Sequence, residues 1–403
     1  MKIALVSEWL DGWRGGAETS TFEFLHHLIS QGVEVHAFTR SRPAAAPGLL
    51  VHTVSGASMS RTRRSITFSH RVERAVRSGS FDLVHAITPC MGAHVYQPRG
   101  GTVPETIERN IAVRSTGIGR SLKRHAARFN LKQRYMLRVE RQLLTARDGP
   151  IVVAISDYVV RQLRRHYDLP DSRIRKVFNG VDPPASVAAL RARQRAGIRR
   201  EFGIGDQETL VLVVAHNFKL KGVRRWMEAL GLLLSRGVTD VRSLVIGKEN
   251  SSAWRRLAVK SGLTNHLTFL GSSSRMEEFF QAGDVLVHPT YYDPCSRVVL
   301  EGMVRGLACI TTRWDGASEM IEDGNNGFVL SEPTDIEGLA DRVTALRDAH
   351  FRRRVGEAAR ANADRVSMAR HTEAMMDLYR SLMDGPVAQP PACLKEPGGA
   401  VDV

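Results

Sequence analysis

A recurring unit constrains this 403-residue chain more than any other feature: a short apolar run, a loop, then a segment with helical spacing. Ile3–Val6, Val33–Phe38, Phe81–Ala86 and Ile151–Ile155 are the runs of the first half. Thr209–Ala215, Ser243–Ile246, Leu267–Leu270, Val285–His288, Leu307–Thr311 and Gly327–Leu330 are those of the second. Short apolar strands separated by helices imply a parallel sheet covered on both faces. The expected class is α/β, with two doubly wound, Rossmann-like sheets. The first helix starts near Ala17, carries Phe22, Leu25, Leu28 and Ile29 at helical spacing, and stops at Gly32. Asn179-Gly180-Val181-Asp182-Pro183-Pro184 breaks the rhythm with turn and linker signals. It divides the chain into a first domain, 1–180, and a second, 181–364. Helices close the chain from about Ile336 to Met383, and the Pro-, Gly- and Ala-rich segment 385–403 is expected to be disordered.

Composition removes several classes. Hydrophobic residues at 43% and charged residues at 25% match an ordinary globular mixture and exclude bulk disorder. Cys90, Cys295, Cys309 and Cys393 are too few for a disulfide framework and lack C-x-x-C spacing, so they read as reduced thiols. No apolar run reaches the roughly 18–20 residues of a membrane span. The start, Met1 to Glu8, reads as a buried strand rather than a signal peptide. The expected location is cytoplasmic.

The formal charge of +15 is unevenly placed. Residues 1–180 hold 28 basic and 14 acidic side chains, and the remainder 29 and 28. The densest stretch is Arg120, Lys123, Arg124, Arg128, Lys132, Arg134, Arg138, Arg141 and Arg147, opposed only by Glu140 before Asp148. A solvated helix face, an anionic membrane and nucleic acid all fit such a run. Nucleic acid usually adds stacking aromatics, and here only Phe129 and Tyr135 are present. The favoured partner of 120–147 is therefore a phosphate-bearing lipid surface at the inner face of the cytoplasmic membrane, with no nucleic acid.

Four segments stand where ligands of doubly wound sheets bind, beyond the carboxyl ends of strands. Gly15 and Gly16 follow the first strand. They permit positive φ and close backbone approach, and the helix behind them offers N–H groups to an anion; a plain strand-to-helix turn fits equally. His216, Lys219 and Lys221 follow Thr209–Ala215 and suit phosphate oxygens, or a solvated loop. Asp293-Pro294-Cys295-Ser296-Arg297-Val298-Val299-Leu300-Glu301 reads as a helix start, with Asp293 at its head and Glu301 two turns inside. That is about 12 Å along the axis. The two carboxylates are then too distant to share a proton but suited to the two ends of an extended ligand, with N–H groups facing phosphates between them. His94 is expected at the same end of the first sheet.

Taken together, Gly15-Gly16, Asn179-Gly180-Val181-Asp182, Lys221-Gly222 and the acidic-x7-Glu301 pair resemble family 4 of the retaining glycosyltransferases, over roughly residues 1–382. The resemblance implies a GT-B fold: two Rossmann-like domains facing across a cleft, with a C-terminal helix, Arg365–Met383 here, crossing back to the first. Within the family, residues 131–140, 154–182 and 285–329 look most like enzymes that glucosylate inner-core heptose of bacterial lipopolysaccharide. It also implies a nucleotide-diphosphate sugar, UDP-glucose foremost, as donor, a membrane-associated glycolipid as acceptor, and neither metal nor cofactor. By the same resemblance Gly16 contacts the diphosphate, Lys221 the phosphates, Asp293 the sugar hydroxyls and Glu301 the ribose. The N–H groups of Ser296, Arg297 and Val298 face the diphosphate, and His94 stands near the reacting carbon. Two positions depart from the pattern. Asp293 stands where the family usually has Glu, and His216 where it usually has Arg, with Lys219 offering a nearby charge. A GDP-mannose-dependent mannosyltransferase, a nucleotide-sugar epimerase and a non-enzymatic basic protein remain open alternatives.

Overall fold

The computed structural model describes residues 1–12, 15–41, 46–54, 61–114, 117–183 and 187–384. The segment 385–403, expected to be disordered, lies outside the described residues, as does Pro184 of the linker signal. Two compact units emerge. One comprises Met1–Ile107, Ser121–Phe178 and the chain from His371 on; the other comprises Glu108–Arg120 and Asn179–Arg370. The chain passes between them at Phe178/Asn179, two residues before the boundary read from the sequence, and the transfer of 108–120 to the second unit had no sequence signal.

The first unit holds β1 (Lys2–Val6), β2 (Glu34–Thr39), β3 (Leu49–Thr53), β4 (Leu83–Ala86), β5 (Val95–Tyr96), β6 (Ile151–Ala154) and β7 (Ile174–Lys176). Its sheet order is β3-β2-β1-β4-β5-β6-β7, parallel throughout. The second holds β8 (Thr209–Val214), β9 (Val241–Ile246), β10 (Leu267–Gly271), β11 (Val285–Val287), β12 (Ala308–Thr312) and β13 (Phe328–Leu330), ordered β10-β9-β8-β11-β12-β13 and again parallel. Both sheets therefore reverse direction of strand addition at the same step: between β1 and β4 in one, between β8 and β11 in the other. Such switch points open crevices at the strands' carboxyl ends.

β3, β5 and β7 escaped sequence reading for physical reasons. Four of the five residues of the edge strand β3 are exposed, β5 has two residues, and only Ile174 of β7 is buried. None makes a continuous apolar run. The first helix spans Gly16–Ser30, and its buried face is Ser20, Thr21, Phe24, Leu25 and Leu28; Phe22, expected on that face, packs edge-on against His26 instead. In the second unit Trp226, Leu230 and Leu233 of the helix Val223–Ser235 pack with Val211, Val213, Val245 and Val285 of the sheet. Burying each such side chain contributes about 1.5–3 kcal/mol. The Trp226 indole N–H is satisfied by Ser243 Oγ at 2.8 Å, as a buried donor requires.

The basic stretch forms two helices, Gly117–Arg128 and Leu131–Thr145; Asn130 caps the second, accepting from Gln133 N at 3.1 Å. Glu140, the lone acid there, is fully buried and takes the Tyr96 hydroxyl (3.0 Å), the Val103 N–H (2.8 Å) and the Tyr167 hydroxyl. It therefore neutralises none of the surface arginines. The C-terminal helix runs Met368–Asp384, after a 3-10 turn at Ala363–Val366. Among the described residues no helix is long and apolar enough to cross a membrane.

Candidate active site

At the switch point of the second unit, two loops meet. One follows β8 and the other β11. Thr290 Oγ1 donates to Leu220 O at 3.2 Å, and Tyr291 N donates to the same carbonyl at 2.9 Å. Gly222 adopts φ +71, and a Cβ there would lie 1.9 Å from Pro289 O. Only glycine allows both the left-handed turn and the close approach. Glu249 braces the first loop by accepting from Phe218 N at 2.5 Å.

This stitching brings Lys221 onto Asp293: Nζ lies 2.5 Å from Oδ2 and donates to Tyr292 O at 3.0 Å. His288 Nε2 lies 3.3 Å from the same carboxylate oxygen. Burial opposes ionisation of Asp293, but Lys221 and His288 outweigh it and hold the carboxyl below its usual range. Behind it Asp315 is fully buried and accepts from Ser296 N (2.8 Å) and Ala317 N (2.9 Å). Burial, and then the charge of Asp293, push the Asp315 carboxyl up to about 6.

Several expectations are corrected. Asp293 does not head a helix. It forms an isolated bridge with Asp315, and the helix starts at Arg297 and ends at Val304. Glu301 is one turn inside that helix, paired with Arg297 at 2.7 Å, so the separation of about 12 Å along one axis does not apply. The Ser296 N–H, expected to face a diphosphate, is committed to Asp315 instead. His216 and Lys219 are exposed on the loop, whereas Lys221 is largely covered.

Gly15, Gly16 and His94 belong to the first unit. Gly15 is extended (φ 175) rather than left-handed, and Gly16 is the first residue of the helix beyond β1. Thr19 closes this turn, its hydroxyl lying 2.5 Å from Gly12 O and 2.9 Å from Gly15 O. His94 is not at the carboxyl end of β4. Its Nδ1 accepts the N–H of Val84, near the start of that strand, at 2.9 Å. Val6 pairs with Ala86 and Ile3 with Leu83, so Gly16 and His94 flank opposite ends of the sheet. Burial lowers the His94 pKa. The histidine that does reach a site residue is His288. Its only sequence signal was its place before Pro289 at a strand end; Asp315 had none, since Trp-Asp-Gly reads as a turn.

The model of Glycosyltransferase Family 4 matches residues 14–184, and that of Glycosyl transferases group 1 matches 194–362. The chain belongs to glycosyltransferase family 4. Among curated proteins it is 27% identical over 259 residues to the lipopolysaccharide glucosyltransferase WaaG of Escherichia coli, spanning 64% of this chain and 69% of that one. It is 24% identical over 400 residues to D-inositol 3-phosphate glycosyltransferase of Nocardiopsis dassonvillei, spanning 92% and 90%. The crystal structure of WaaG superposes with TM-score 0.78 at 22% identity, over 94% of this chain and 99% of that one. That of Anabaena HepE in complex with UDP-glucose superposes with TM-score 0.71 at 17% identity, over 95% and 100%. The fold class of this family 4 chain is GT-B.

Proposed function

We propose that this chain transfers a hexose from a nucleotide-diphosphate sugar, UDP-glucose foremost, to a membrane-associated glycolipid of the lipopolysaccharide-core type, with retention and without a metal. One observation carries the donor half: Lys221 and Asp293, from loops 72 residues apart in sequence, converge at the switch point beside the head of the helix Arg297–Val304. When the bond from the anomeric carbon to the diphosphate breaks, charge grows on the leaving phosphate. Lys221 is a preorganised donor for it, and the head of the helix Arg297–Val304 beside it adds the positive end of a helix dipole. Asp293 and His288 address sugar hydroxyls, and Glu301, held by Arg297, takes the ribose. His216 and Lys219, on the same loop as Lys221, serve the diphosphate as lesser contacts.

The acceptor half rests on the helix Gly117–Arg128 and the residues after it. Ile118, Leu122, Phe129 and Leu131 are 67–78% exposed. Ile118 and Leu122 share one helix face and Phe129 follows just past the helix end, while Arg120, Lys123 and Arg124 lie on the other side. An apolar face opposite a basic one suits the interface of an anionic bilayer.

A thermal-shift panel of UDP, GDP and their glucose, galactose and mannose conjugates tests the donor, followed by transfer with the stabilising compound. Ligand at one hundred times its dissociation constant adds about 2.7 kcal/mol. A shift with GDP-mannose alone selects the mannosyltransferase, and no shift with any member refutes the reading.

A further inference from the structure

We propose that Asp315 is a positioning residue of the donor site and acts there as a carboxylic acid, its proton fixing the loop that carries Asp293. This rests on the reading of Lys221 to Glu301 as the donor site.

Asp315 Oδ1 is occupied by the N–H groups of Ser296 and Ala317. Oδ2 lies 2.8 Å from Thr311 Oγ1, and that hydroxyl lies 3.1 Å from the carbonyl of His288. A hydroxyl has one proton and a carbonyl oxygen can only accept. Each contact is a full two-centre hydrogen bond only when Asp315 donates to Thr311 and Thr311 donates to His288; with Asp315 ionised the two acceptors share one proton. The charges agree. Asp293 already engages Lys221 and His288, whereas among the described residues no cation is a hydrogen-bond partner of Asp315, and the opposing pull of His288 on it is outweighed by burial and by Asp293. Two ionised carboxylates side by side in a buried site disfavour each other. The remaining titratable groups around Asp315 are the buried thiols of Cys295 and Cys309, both raised chiefly by burial, and Glu319 on the adjoining 3-10 turn, which acts on Cys295.

The proton matters because Asp315 lies inside the bracket that holds Asp293. Asp293 N donates to Trp314 O at 2.8 Å, and Gly316 N donates to Asp293 O at 2.9 Å. Thr311 carries the same constraint to the His288 backbone, and the His288 ring reaches Asp293. Loss of the proton breaks the relay and places a second negative charge behind Asp293, where sugar hydroxyls are to be read.

Asp315→Asn supplies an N–H donor to Thr311 while keeping an oxygen for Ser296 and Ala317; Asp315→Ala supplies neither. In the wild type the donor KM rises between pH 5 and 9 while kcat changes little. Asp315→Ala raises the donor KM by about tenfold or more at every pH, Asp315→Asn rescues it, and the pH dependence disappears from the rescued enzyme. Thr311→Val reproduces the Ala phenotype in milder form. An infrared difference spectrum of wild type against Asp315→Asn needs no substrate. It shows a carboxylic-acid C=O band that titrates away on raising pH. An Asn variant as impaired as the Ala variant, or no acid band, overturns the proposal. An intact band with no transfer from any nucleotide sugar overturns the donor-site reading and the positioning role with it.

Discussion

Gly222→Ala tests whether the crossing of the two loops builds the site. The natural control is Gly237→Ala in the same unit. Gly237 has φ +80 and nothing within 4 Å of an added Cβ, whereas Gly222 has φ +71 and Pro289 O at 1.9 Å. Both substitutions incur the left-handed penalty of about 1–2 kcal/mol, partly offset by about 0.4–1 kcal/mol from a stiffer unfolded chain. Gly237→Ala should therefore cost about 1 kcal/mol. At Gly222 the overlap is with main chain, so no rotamer relieves it, and overpacking adds about 1–3 kcal/mol or more. The expected gap between the variants is about 2 kcal/mol, read by equilibrium denaturation followed through tryptophan fluorescence. Gly222→Ala should also lose most of the nucleotide-sugar thermal shift, because the Pro289 loop must withdraw and takes Asp293 away from Lys221. Equal losses of stability in the two variants, or a full thermal shift in Gly222→Ala, would refute the reasoning.

Four further outcomes are expected. Lys221→Ala and Glu301→Ala should each lower turnover, the former by about 100-fold, with unchanged circular dichroism; wild-type transfer by both would remove these residues from the site. Turnover should be indifferent to a strong chelator, and a loss restored by added divalent cation would contradict the metal-independent scheme. His371 donates through Nδ1 to Phe178 O at 2.7 Å and faces the Arg99 guanidinium at 3.2 Å; burial first, then Arg99, lower its pKa to about 3. The unfolded chain thus takes up a proton below about pH 6.5 that the folded one refuses. This contribution to stability is present above that pH and falls by about 1.4 kcal/mol per unit toward pH 3; a wild-type slope no steeper than that of His371→Gln would count against it. Replacing Ile118, Leu122 and Phe129 by serine should abolish flotation with anionic vesicles, and unaltered flotation would assign the basic stretch another partner.

The sequence exposed what buried apolar runs and fixed spacings can carry. β8 and β11 are almost wholly apolar segments, so the sequence alone puts the loops holding Lys221 and Asp293 at strand ends. What stayed hidden depends on contacts between distant segments. The extended loop from Asp293 to Ser296 looked helical because Pro294 and Ser296 suit a helix start. In the fold, Asp293 instead bridges to Asp315, 22 residues away, and no local pattern announces that pairing. His94 misled for the opposite reason. Its place after a strand suggested the carboxyl end, but the chain doubles back and its ring closes on Val84.

The contact between Lys221 and Asp293 has a consequence for binding. Any phosphate that reaches this ammonium group must take it from a carboxylate already in hand, so recognition is an exchange of one anion for another. The gain is a difference between two similar attractions, which favours a ligand whose sugar simultaneously occupies the released carboxylate over bare nucleotide or inorganic phosphate. An internal competitor of this kind turns a simple charge contact into a check that both ends of the donor have arrived.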